Sequence, residues 1–254
     1  MKKAKVLIVA NWKMNPETAE EARDLFLATR KITKNLKNTK VIICPPYIYL
    51  QKLESLADNT IILGAQDVFS EQAGSFTGEI SPNMLKNEGE SYVIVGHSER
   101  RALSETDESI AKKVSASLKT GLNVILCVGE KERDAHGEYL HFLRQQIINS
   151  IGKLQKRYLK NLTIAYEPVW AIGKSEIEAM RPTDLHETSI FIKKILSEIY
   201  GQTEGVKVPI LYGGSVNHKN AKDLLTLGEV QGLLVGRESL NPKKFENLLL
   251  TIEG

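Results

Sequence analysis

Short runs of apolar residues recur along the chain, separated by longer stretches with a different periodicity. Each run is almost continuously hydrophobic and rich in β-branched residues, which is typical of strands buried on both faces of a parallel sheet. The pattern predicts eight strands, at residues 6–10, 41–44, 61–65, 92–96, 123–128, 162–166, 208–212 and 232–235.

Between these runs, apolar residues recur with the spacing of a helical face. Ser81-Pro82 and Asn241-Pro242 predict helix starts, with a capping side chain followed by proline in the first turn, and Gly121 and Gly201 predict helix ends. Two predicted helical faces consist of Ala22, Leu25, Phe26, Thr29, Ile32 and Leu36, and of Leu140, Leu143, Ile147, Ile151 and Leu154.

The regular alternation of strand and helix predicts an α/β protein in which eight parallel strands form a closed (β/α)8 barrel surrounded by helices. The chain has 254 residues, of which 42% are hydrophobic, and no break in composition, so we expect a single domain over residues 1–254. The alternative is an open doubly wound sheet, but no GxGxxG motif follows the first predicted strand.

The net charge and the cysteine spacing limit the partners and the compartment expected for this protein. The net charge is only +3 and no dense basic run occurs, so neither nucleic acid nor a membrane is an expected partner. Cys44 and Cys127 show no CxxC spacing and resemble small apolar residues at strand ends, which favours a reducing compartment. The apolar run after Met1-Lys2-Lys3 is too short for a signal peptide, so we expect a cytoplasmic protein.

The end of the sixth predicted strand carries a candidate base. Glu167 is followed at once by Pro168 and by the bulky residues Val169, Trp170 and Ile172. An apolar segment whose large side chains are exposed can fold over a ligand and exclude water, so this segment is a candidate lid beside a carboxylate.

Several motifs occur in a fixed order between Asn11 and Ser239. They read NWKMN at 11–15, GHSERR at 96–101, CVGE at 127–130, AYEPVWAIG at 165–173, YGGS at 212–215 and LLVG at 233–236. Together they resemble the triosephosphate isomerase family, whose fold is the TIM barrel, over nearly the whole chain.

The resemblance implies a reaction that interconverts dihydroxyacetone phosphate and D-glyceraldehyde 3-phosphate, in glycolysis and gluconeogenesis. Glu167 would move one proton between adjacent carbons through an enediolate. Lys13 would stabilise the negative charge, with Asn11 holding its geometry, and a neutral His97 would donate to the substrate carbonyl because a helix N-terminus disfavours its protonation. Glu99 would lie beside Lys13. The reaction needs no metal ion and no redox cofactor.

The resemblance also implies a phosphate site where the last two strands end. Backbone N–H groups there would bind the phosphate, while Tyr212 and Ser215 would latch the closed lid. The residues implied in substrate and phosphate binding are Asn11, Lys13, Gly173, Ser215, Gly236 and Arg237.

Two segments depart from the common family pattern. Lys174-Ser175-Glu176 replaces a Thr-Gly-Lys hinge, and Arg237-Glu238 replaces Gly-Ala. One hypothesis directs Arg237 outward, paired with Glu238 or Glu176, so that its N–H still faces the phosphate. The other is direct contact between its guanidinium and the phosphate.

The segment 66–81 is long for a barrel loop and contains Phe69 and Phe76. It resembles the family's third loop, which docks into a neighbouring subunit. The resemblance therefore implies a symmetric homodimer in which Thr77 approaches the partner's pocket.

Two other functions were weighed. A Schiff-base aldolase on the same barrel needs a lysine where this chain has Glu167. A catalytically inactive barrel that binds a phosphometabolite is the remaining alternative, although Lys13, His97 and Glu167 are all present.

Overall fold

The computed structural model describes residues 5–173 and 179–254, and these form a closed barrel of eight parallel strands. Each strand pairs with its neighbours in chain order, and the first pairs with the last. The strands are β1 (Val6–Asn11), β2 (Thr39–Cys44), β3 (Ile61–Ala65), β4 (Tyr92–Val95), β5 (Asn123–Val128), β6 (Leu162–Tyr166), β7 (Ile210–Tyr212) and β8 (Gly232–Val235).

The helices surround the barrel, so the predicted (β/α)8 barrel is confirmed. Short 3-10 helices are formed by Lys156–Asn161, Val169–Ala171 and Arg237–Leu240. The α-helices of the described residues are α1 (Ala19–Thr33), α2 (Tyr47–Glu54), α3 (Pro82–Asn87), α4 (Ser98–Ala102), α5 (Asp107–Thr120), α6 (Glu138–Ile151), α7 (Pro182–Tyr200), α8 (Gln202–Gly205), α9 (Ala221–Thr226) and α10 (Pro242–Glu253).

The apolar strands have two buried faces because the core has two layers. One cluster fills the barrel interior and includes Val9, Ile42, Ile94 and the two free cysteines, Cys44 and Cys127. A larger cluster lies between the outer face of the strands and the helices. Burial on both faces explains why the strand runs do not alternate with polar residues.

The predicted helix boundaries follow from local hydrogen bonds. The Ser81 side chain accepts from the N–H of Met84 at the start of α3, and Asn241 caps α10 in the same way. Gly121 ends α5 with φ of +87°, a left-handed conformation that costs glycine little. Gly201 ends α7, as predicted.

Small differences from the predicted strand bounds have physical causes. The predicted strand at 208–212 begins only at Ile210, because Pro209 has no N–H to donate to the sheet. The fourth strand stops before Gly96, whose φ of +72° turns the chain away. None of the described helices is long and apolar enough to cross a membrane.

Candidate active site

The carboxyl ends of the strands bring the predicted residues to one cavity. Asn11 is the last residue of β1, His97 follows β4 by two positions, and Glu167 directly follows β6. With Lys13 and Glu99 they line a cavity of about 400 Å³. A larger groove of about 780 Å³ lies outside the barrel, between α5 and the end of α6, and none of these five residues lines it.

The loop after β1 holds Lys13 in a strained conformation. Its φ is +55°, which is uncommon for a residue with a side chain. The side-chain oxygen of buried Asn11 accepts from the N–H of Lys13 at 3.0 Å. The side-chain amide of Gln66 donates to the Lys13 carbonyl at 2.8 Å. Asn11 therefore supports the position of Lys13, as the resemblance implied.

Lys13 reaches across the cavity to α4. Its Nζ atom lies 2.6 Å from Oε1 of Glu99, so these two residues are neighbours, as expected. The Lys13 side chain is 27% exposed and that of Glu99 is 58% exposed. An ion pair this open to solvent contributes little to stability.

His97 is the residue that precedes α4, and its ring is buried. Its Nδ1 atom accepts from the N–H of Glu99 at 3.2 Å, which places the ring proton on Nε2. Nε2 lies 3.1 Å from Oε1 of Glu167. Burial opposes protonation, but the charge and hydrogen bond of Glu167 outweigh it and raise the pKa of His97 above its ordinary value. This direction is opposite to the effect expected from the helix N-terminus, because that expectation left out Glu167, and the neutral imidazole stays a prediction.

Glu167 is 2% exposed and is held by two donors. Oε1 accepts from His97, and Oε2 accepts from the N–H of Ser98 at 3.1 Å. Burial alone would raise the pKa of Glu167, but His97 and the Ser98 hydrogen bond outweigh burial and lower it. In this arrangement the carboxylate is ionised and able to accept a proton.

Two glycines make room for Glu167. A Cβ atom on Gly129, after β5, would lie 1.9 Å from the carbonyl oxygen of Glu167. A Cβ atom on Gly213, after β7, would lie 2.7 Å from the Glu167 Cγ. The main chain and the side chain of the candidate base are thus each positioned by a residue that lacks a side chain.

The candidate lid is attached to the barrel at a buried carboxylate. Oε1 of Glu130 accepts from Nε1 of Trp170 and from the hydroxyl of Tyr166, both at 2.8 Å. The prediction that Trp170 is exposed is wrong, because this hydrogen bond draws its indole inward to half-buried packing. Ile172 is also half-buried and lines the cavity.

The predicted phosphate residues Gly173, Ser215, Gly236 and Arg237 line the same cavity. Ser215 also donates its hydroxyl to the Ala171 carbonyl at 2.9 Å, which joins the loop after β7 to the lid segment. These four residues come from three separate loops, and the barrel brings them together.

The loop after β8 departs from the predicted arrangement at Arg237. Among the described ion pairs, Glu238 contacts Lys244 at 3.5 Å instead of Arg237. The other suggested partner, Glu176, lies outside the described residues, as do Lys174 and Ser175. The hypothesis of an Arg237–Glu238 pair is therefore wrong.

Comparison with known proteins agrees with this geometry. The sequence model of the family described as triosephosphate isomerase matches residues 6–252. The chain belongs to the triosephosphate isomerase family. It is 41% identical over 246 residues to the triosephosphate isomerase of Dictyoglomus turgidum, covering 96% of this chain and 98% of that protein. It is 42% identical over 247 residues to that of Aquifex aeolicus, with the same coverage. The triosephosphate isomerase of Coprinopsis cinerea is 38% identical over 236 residues, or 92% of each chain.

In this family member, the loop at 66–81 has an anchored base and an exposed tip. Asp67 lies in a buried ion cluster, where both of its carboxylate oxygens accept from Lys113 at 2.8 Å. Residues 73–79 are exposed, and Phe76 remains 45% exposed although its ring packs 4.6 Å from that of Phe69. Thr77 is part of this exposed tip.

Sequence reasoning did not assign roles to several residues that organise the site. Glu130 and Gly129 belong to the quoted CVGE motif, so a signal for them was present, but their contacts with Trp170 and Glu167 required the fold. Gln66 follows β3 without a distinguishing motif, and nothing in the sequence indicated its hydrogen bond to Lys13.

Proposed function

We propose that this chain interconverts dihydroxyacetone phosphate and D-glyceraldehyde 3-phosphate, the reaction of a triosephosphate isomerase, which is the name that its relatives carry. The observation that carries the proposal is the convergence of Lys13, His97 and Glu167 on one cavity at the carboxyl end of a closed barrel. Active sites of such barrels lie at this end.

The proposed chemistry uses one carboxylate as the base. Glu167 removes a proton from C1 of dihydroxyacetone phosphate and returns it at C2. Nε2–H of His97 donates to the substrate oxygens, and the ammonium of Lys13 stabilises the negative charge of the enediolate. Substrate that enters between His97 and Glu167 replaces their mutual contact. This frees the carboxylate, and the loss of water under the lid strengthens it as a base.

Phosphate binding is proposed in the same cavity, through the N–H groups of Gly173, Ser215, Gly236 and Arg237. The supporting observation is that these four residues line the cavity together with Glu167. Closing the lid over the phosphate protects the enediolate from losing it. The Ser215 hydroxyl already contacts the lid segment at Ala171, which supports a role in latching.

We also propose a homodimer formed through the loop at 66–81, in the cytoplasm. Exposed apolar side chains on the described surface support this assembly. Besides Phe76, they include Met14 at 93%, Ile48 at 81% and Met84 at 56% exposure. Sedimentation of the purified protein at assay concentration tests it, and a fully active monomer would contradict it.

Turnover by the purified wild-type chain tests the function itself. Conversion of glyceraldehyde 3-phosphate into dihydroxyacetone phosphate, followed by NMR without coupling enzymes, should proceed without any added metal or cofactor. The inactive phosphometabolite-binding barrel predicts instead that inorganic phosphate binds while the triose phosphate stays unconverted. That result would contradict the proposed isomerase activity.

A further inference from the structure

The side chain of Arg237 lies at the mouth of the candidate active site. Arg237 follows Gly236 at the end of β8 and lines the same cavity as Lys13. A Cβ atom added to Gly173 would lie 3.3 Å from Nη2 of Arg237 and 4.0 Å from its Cζ. The guanidinium therefore lies near the end of the lid segment, at the rim of the cavity.

The guanidinium is available to a ligand. The Arg237 side chain makes no hydrogen bond or ion pair with residues 5–173 or 179–254, and the carboxylate of Glu238 is directed to Lys244. An arginine presents several N–H donors in a planar fork that matches two oxygens of a phosphate. Its position and its donors thus point to an anion inside the cavity mouth.

The charges around the cavity give a reason for a second cation. Three carboxylates, Glu99, Glu167 and Glu238, line it, and Glu99 lies 2.6 Å from the ammonium of Lys13. Much of the Lys13 charge is therefore offset before a doubly charged phosphate enters. Besides Lys13, Arg237 is the only arginine or lysine among the described residues that line the cavity. It adds a second positive charge beside Gly173 and Gly236, two of the proposed phosphate residues.

We propose that the guanidinium of Arg237 binds the phosphate group of the substrate beside the lid end at Gly173. This inference rests on the proposed function, since it names a side-chain ligand for the phosphate of the same substrate. In the described conformation the guanidinium already lies beside the lid end at Gly173. A phosphate bound beneath it would contact the loop after β8, through Arg237, and the lid at the same time.

The experiment compares Arg237→Gly, Arg237→Lys and the wild-type chain on two substrates. Glyceraldehyde 3-phosphate carries the phosphate, and glyceraldehyde lacks it. Binding of inorganic phosphate to each protein is measured separately by calorimetric titration. Lys243→Ala is the matched control, because it removes one positive charge from an exposed side chain that pairs with Glu246 and does not line the cavity.

We expect Arg237→Gly to lower kcat/KM for glyceraldehyde 3-phosphate by about 10- to 100-fold, the usual effect of losing a hydrogen bond between charged groups. The same variant should bind inorganic phosphate more weakly by a similar factor and should act on glyceraldehyde within about twofold of the wild type. Arg237→Lys should restore part of the loss, and Lys243→Ala should match the wild type.

Equal losses on both substrates would overturn the inference, because the side chain would then act on the chemistry or the fold and not on the phosphate. Unchanged or tighter phosphate binding by Arg237→Gly would overturn it as well. If the wild-type chain turned over no triose phosphate, the proposed function would fail. The phosphate titration of the same variants would still decide whether Arg237 binds this anion.

Discussion

Gly129→Ala tests whether the absence of a side chain at the end of β5 positions the candidate base. The added Cβ atom would lie 1.9 Å from the carbonyl oxygen of Glu167 and 2.5 Å from its carbonyl carbon. Cβ atoms essentially never come within 3.0 Å of a non-bonded atom. The distance from the new Cβ to the Glu167 carbonyl oxygen must therefore increase from 1.9 Å by about 1.1 Å. The obstacle is main chain on both sides, so no flexible side chain can move aside.

Two effects of different size follow from this displacement. Overpacking of this kind costs about 1–3 kcal/mol of folding free energy. A shift of about 1 Å in a catalytic group can reduce the rate by about 100-fold. We therefore expect a folded variant with a modestly lower free energy of unfolding and a kcat reduced by about two orders of magnitude.

The assay is steady-state turnover of glyceraldehyde 3-phosphate, alongside urea unfolding followed by circular dichroism. Gly213→Ala is the comparison, because its Cβ atom would meet the Glu167 side chain at 2.7 Å and not its main chain. It should lower kcat with a smaller loss of stability. Wild-type kcat and wild-type stability in Gly129→Ala would refute the reasoning.

Three further changes test other parts of the site and fold. Asn11→Ala should reduce kcat/KM by about 10- to 100-fold, since the strained Lys13 backbone loses its acceptor at 3.0 Å, and unchanged kinetics would argue against this support. Lys113→Met should lower the free energy of unfolding at pH 7 by about 3–5 kcal/mol, measured in urea, because Asp67 and Glu105 lose the buried cation between them and keep only the more exposed Arg100; a loss below 1 kcal/mol would contradict this. Burial raises the pKa of fully buried Glu90 from 4.5 to about 7, so Glu90 destabilises the fold once it ionises. The stability of Glu90→Gln relative to wild type should therefore rise by about 3 kcal/mol between pH 4.5 and pH 8.5, and a pH-independent difference would exclude the assignment.

The sequence was sufficient for features set by local pattern. The strand runs, the caps at Ser81 and Asn241 and the turn at Gly121 depend on residues close in the chain, and the structure has all of them. The observed strand boundaries differ from the predicted ones where a single residue alters the hydrogen bonding, as Pro209 does at the start of β7.

Other features depended on contacts between distant segments. The pKa of His97 reflects the carboxylate of Glu167, which is 70 positions away in the chain but 3.1 Å away in space. Trp170 is half-buried because Glu130, at the end of another strand, accepts its N–H. The direction of the Arg237 side chain likewise depends on how the lid end packs against the loop after β8.

Replacement of Glu167 by glutamine tests the central claim most directly. Glutamine keeps the size of the side chain and removes its ability to accept a proton as a base. The matched control is Glu187→Gln, which neutralises an exposed carboxylate on α7 that does not line the cavity. Unfolding curves for both variants check that each is folded. We expect kcat on glyceraldehyde 3-phosphate to fall by about 100- to 10,000-fold in Glu167→Gln and to stay at the wild-type value in the control. A folded Glu167→Gln protein that kept wild-type turnover would show that another group moves the proton, and the account of this site would be wrong.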